Sequence, residues 1–82
     1  MNKILVVEDD ETIRNSIRIM LRIEGYEVDT AVDGKDGVER FDDSYNLVVM
    51  DIMMPRMSGI DACKKMREIS NIPILFLTAK SS

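Results

Sequence analysis

Leu47-Val48-Val49-Met50-Asp51 most constrains the fold: four apolar residues with no polar alternate, closed by a carboxylate. A strand with one wet face alternates polar and apolar residues, whereas this run requires cover on both faces. That is the pattern of an interior strand of a parallel sheet, with helices above and below. Residues 3–8 (KILVVE) form a second such run, apolar and β-branched between charged ends. Between the two the period changes. Ile13, Ile17, Met20 and Leu21 fall on one helical stripe within residues 11–24, with Asp10 as N-cap, Glu11 in the first turn and Gly25 as the stop.

Residues 27–32 read as a partly exposed strand, and Asp33-Gly34 as a turn into a short helix carrying Val38 and Phe41. The stretch 52–59 (IMMPRMSG) is a loop, and Ser58-x-x-Asp61 is a capping pattern with Asp in place of Glu. Ile60, Cys63, Met66 and Ile69 share the apolar face of the next helix; Asn71-Ile72-Pro73 ends it, and residues 74–78 (ILFLT) form the last strand. Four strands alternating with three helices predict right-handed βαβ units and an α/β, doubly wound parallel sheet.

Composition narrows the function. A chain of 82 residues is one small domain. Its 11 basic and 15 acidic residues give a net charge of −4, unsuited to direct nucleic-acid contact, which needs a basic patch. No apolar run approaches the length of a membrane span. One cysteine and no histidine exclude an internal disulfide framework and a structural zinc site, and fit a reducing, cytoplasmic setting. Cys63 reads as a small core residue, and Met20, Met50 and Met66 as core filling; Met53, Met54 and Met57 read as exposed to a partner. Arg14, Arg18 and Arg22 read as a solvated helix face.

In parallel α/β sheets, ligands bind beyond the carboxyl ends of the strands. Three strands end there in chemistry: Glu8-Asp9, Asp51 and Thr78. If the first and third strands are neighbours, three carboxylates meet and repel one another unless a cation sits between them. Oxygen ligands alone select a hard ion, Mg²⁺ before Ca²⁺, and the loop backbone after Asp51 can add a carbonyl. Asp51, at the end of an apolar run, can attack a phosphoryl group and become an aspartyl phosphate. Thr78 either donates a hydrogen bond to that group or is a strand-end residue without a task. The acids either hold the ion or serve solubility, as Asp10 serves its helix.

These residues resemble the receiver domain of bacterial two-component response regulators. The likeness rests on residues 4–10 (ILVVEDD), residues 47–59 (LVVMDIMMPRMSG) and residues 73–80 (PILFLTAK). It implies a flavodoxin-like fold with strand order 2-1-3-4-5. It implies that a sensor histidine kinase donates a phosphoryl group to Asp51, and that Thr78 is the switch hydroxyl. It also implies that Mg²⁺ is held by Asp9 directly, Glu8 through water, Asp51, and the Met53 main-chain carbonyl.

Measured against that family, residues 1–82 correspond to the N-terminal part of a receiver domain, with order 2-1-3-4 present and strand five, with its lysine, without counterpart. Lys80 is not that lysine. The expectation is a phosphoacceptor module rather than a turnover enzyme. The rival is an association fragment, a homodimer formed through the apolar strand-four edge or by segment exchange, without competent phosphotransfer. An aspartyl-phosphate phosphatase is disfavoured, because Met53 occupies the position where such enzymes place a second acid.

Overall fold

The two uninterrupted apolar runs become the two interior strands. A computed structural model describes residues 2–77. Along the chain run β1 (Lys3–Val7), α1 (Glu11–Ile23), β2 (Glu27–Ala31), α2 (Gly34–Arg40), β3 (Leu47–Asp51), α3 (Gly59–Arg67) and β4 (Ile74–Leu77). The strands pair in parallel, as the residue pattern predicts, in the order β2-β1-β3-β4 that the resemblance implies. Lys3 is in register with Glu27, Ile4 with Leu47, and Val48 with Ile74.

Alternate side chains of β1 and β3 point to opposite faces, which builds two cores from the same strands. Leu5, Val7, Val48 and Met50 meet Phe41, Tyr45, Ala62 and Met66 on the side of α2 and α3. Ile4, Val6, Val28 and Val49 meet Ile17 and Leu21 of α1 on the other. The second core is thinner, and α1 buries none of its residues fully. A fully buried aliphatic side chain stabilises by about 1.5–3 kcal/mol, so α1 is held by partial contributions only.

Helix ends follow local chemistry. Asp10 accepts the Ile13 N–H at 2.9 Å as N-cap of α1. At its other end Gly25 has φ 98°, with the Gly25 N–H on Arg22 O at 3.0 Å and the Tyr26 N–H on Leu21 O at 3.1 Å. These two bonds are the Schellman closure, and glycine reaches that positive φ without steric cost. Ser58 accepts the Asp61 N–H at 3.2 Å to start α3.

These readings of the sequence need correction. Met20 is 62% exposed, because Ile17 and Leu21 alone face the sheet and Met20 lies a hundred degrees round the helix from Leu21. On α3 the buried residues are Gly59, Ala62 and Met66, with Cys63 half-buried; Ile60 and Ile69 are exposed, Ile69 lying beyond the helix end. Met54 and Met57 pack against the α2–α3 core, and only Met53 of that trio is exposed, at 73%. β2 ends at Ala31, with Val32 outside it.

Candidate functional site

Val7 of β1 is in register with Met50 of β3, so the residues that follow each are neighbours. Those residues are acids. Glu8, Asp9 and Asp51 can each offer a carboxylate oxygen, all within 4.8 Å of one another. Glu8 and Asp51 are buried, at 3% and 7% exposure, while Asp9 is exposed and leaves an approach from solvent. The three carboxylates named from the sequence are thus brought together. Among the described residues no lysine or arginine forms a salt bridge with any of them.

The backbone sets their positions. The Glu8 N–H continues the ladder to Ala31 O at 3.1 Å, and Glu8 Oε2 accepts the Asp10 N–H at 3.1 Å. Arg14, one turn into α1, donates from Nη1 to Glu8 O at 2.9 Å and to Asp9 O at 3.4 Å. Arg14 is therefore not simply a solvated residue; it fastens the main chain beneath the acid pair. The signal for this was its place in the first turn of a helix that begins beside a strand end. Arg22 likewise donates to Val28 O at 3.4 Å.

On the β3 side, Asp51 Oδ1 accepts the Met53 N–H at 3.1 Å. The Ile52 N–H extends the sheet to Leu77 O at 3.2 Å, and the Gly59 N–H closes the loop on Ile52 O at 2.8 Å. Thr78, expected at the end of β4, lies outside the described residues. Burial pushes the Glu8 carboxyl up to about 7; the Asp10 N–H opposes this, while contact with Asp9 and the charges of Asp51 and Asp9 reinforce it. A carboxylate site with one exposed and two buried members, and no basic side chain paired to them among the described residues, suits a small hard cation.

A profile describing the response regulator receiver domain matches residues 4–82. The chain belongs to the response regulator receiver family. It is 54% identical over 80 residues to the transcriptional regulatory protein YrkP of Bacillus subtilis, and 40% identical over 82 residues to the transcriptional regulatory protein CpxR of Escherichia coli. These alignments cover 98% and 100% of this chain, and 35% of the length of each regulator. Among solved structures, response regulator TrrA of Thermotoga maritima, in complex with Mg²⁺-BeF, matches with a TM-score of 0.88 and 40% identity over 99% of this chain and 72% of its own. Receiver domains are the phosphoaccepting modules of two-component signalling, supplied by sensor histidine kinases, and this chain carries that fold and family. Among the described residues no helix is long and apolar enough to cross a membrane.

Proposed function

We propose that this chain is a phosphoacceptor module in which Asp51 takes a phosphoryl group from a histidine kinase, with Mg²⁺ held by Asp9, Asp51, the Met53 carbonyl and, through water, Glu8. The observation that carries the reading is the convergence of three carboxylates at the ends of β1 and β3, with no cationic side chain paired to them among the described residues. One Asp51 oxygen accepts the Met53 N–H, which leaves the other to attack phosphorus. The new bond is Asp51 O–P; the donor's P–N bond breaks and its electron pair leaves with the imidazole. Mg²⁺, when bound, supplies positive charge against the repulsion between carboxylate and phosphoryl oxygens. Thr78 is assigned the hydrogen bond to the phosphoryl group that switches the output. The module works stoichiometrically, in the cytoplasm, without touching nucleic acid itself.

Incubation with Mg²⁺ and acetyl phosphate tests the assignment by intact and peptide mass spectrometry. The expected result is one added phosphoryl group, mapped to Asp51 and lost in Asp51→Asn. An adduct on another residue would overturn it.

A second reading concerns association. β4 is an outer strand of the described sheet, and Leu75 on it is 56% exposed. An apolar strand with a free backbone edge pairs readily with another. A second copy of the chain is its natural partner, through the edge or by segment exchange. Light scattering should then give a dimer mass; a monomer at every concentration would sink this reading.

A further inference from the structure

The loop after Asp51 is anchored from the far side of the β2–α2 turn. Within it the Met57 N–H donates to Pro55 O at 2.7 Å, across Arg56 at φ 69°. A bond spanning two residues over a positive φ is the strained form of the γ-turn. Residues other than glycine, asparagine and aspartate rarely enter that region, and they stay only where their surroundings over-determine them.

The surroundings include a buried carboxylate. Arg56 Nη2 lies 2.6 Å from Asp33 Oδ2, and Asp33 is buried. Its other oxygen, Oδ1, accepts the Asp36 N–H at 2.8 Å as N-cap of α2. Asp33 therefore cannot move toward or away from Arg56 without disturbing a helix start. Backbone contact locks the same seam: a Cβ on Gly34 would collide with the Met57 carbonyl oxygen. At the opposite end of this loop, Met53 gives its N–H to Asp51.

We propose that Arg56 is a positioning residue, whose ion pair with Asp33 holds loop 52–58 so that the Met53 N–H stays on the Asp51 carboxylate. Arg56 acts through the backbone of the loop. The consequence for phosphorylation rests on the reading of Asp51 given above; the positioning itself rests on the geometry of the loop.

The test is amide hydrogen exchange by NMR, together with Mg²⁺ affinity by calorimetry. Asp33→Asn keeps an N-cap of comparable strength while deleting the charge. Arg56→Gly accommodates the positive φ while deleting the ion pair. In both, the Met53 amide should exchange about fivefold faster or more, with Mg²⁺ binding weakened about fivefold, an ångström-scale loss of positioning being ample for effects of that order. The Asp36 amide should be unchanged in Arg56→Gly. Arg56→Lys should recover much of the protection, and Asp33→Asn with Arg56→Gln should be no worse than either alone, as coupled partners require. Unaltered Met53 exchange in Arg56→Gly overturns the proposal, since the turn would then need no anchor. Failure of the unsubstituted chain to bind Mg²⁺ overturns the reading of the acid site, while Met53 exchange still decides the positioning.

Discussion

The two ends of the sheet hold similar residues and settle them in opposite ways. At the amino end, Tyr45 is buried and its O–H donates to Asp29 Oδ2 at 2.7 Å. Lys3 Nζ lies 4.0 Å from the same oxygen, 3.0 Å from Ser44 Oγ and 4.6 Å above the Tyr45 ring. Burial, then the bond to Asp29, push the Tyr45 hydroxyl well above its ordinary range. Lys3, Asp29 and the Tyr45 hydroxyl there have partners inside the molecule. At the carboxyl end, Glu8, Asp9 and Asp51 have one another and no cationic side chain among the described residues. A polar cluster that neutralises its own charge is architecture; one that does not is a candidate site for a ligand. Concavity alone misleads, since a hollow of about 220 Å³ lined by Ile4, Leu21, Tyr26 and Leu47 lies at the self-satisfied end.

The contrast can be broken by pH first. The Glu8 carboxyl stands near 7 in the folded chain against an ordinary 4.5, so the folded state binds that proton more tightly. Its stabilising contribution is complete below 4.5 and is lost as pH rises through about 7. Over that window the metal-free chain should lose stability of about 3 kcal/mol from this group. Urea melts in chelator should show the slope, and Glu8→Gln should flatten it; an equal slope in that variant would count against the crowding.

Asp51→Asn removes one of three like charges while its amide oxygen can still accept the Met53 N–H. The metal-free variant should be more stable by about 1–2 kcal/mol and its thermal midpoint should no longer rise with Mg²⁺. A destabilised variant would show that Asp51 is satisfied as it stands. Tyr45→Phe, at the other end, should cost about 1 kcal/mol, because water can reach Asp29 once the phenol is gone. Its pH slope and Mg²⁺ response should match those of the unsubstituted chain, which sharpens the separation between the ends.

What was legible in the sequence follows the range of the interactions. Caps and stops at Asp10, Ser58 and Gly25 are satisfied by atoms within a few residues, so their chemistry shows in the residue types. The parallel sheet was legible because runs 4–7 and 47–50 tolerate no wet face. The strand order, and with it the convergence of Glu8, Asp9 and Asp51, was legible only through the resemblance to receiver domains. The exposure of Met20, Ile60 and Ile69 was not legible, because a stripe records which residues share a face and not how much sheet lies opposite. Arg56 with Asp33, and Tyr45 with Asp29, were missed because each pair joins separate segments and neither partner stands out in its own neighbourhood.

The register of β1 has a consequence for selectivity. Val7 is laced to Ala31 on one side and Met50 on the other, so the gauge of the acidic cup is set by main-chain spacing. Under the proposed reading, a preference for a larger or smaller ion would be written at positions 8, 9 and 51, by lengthening or shortening a carboxylate arm, and in the loop that carries the Met53 carbonyl.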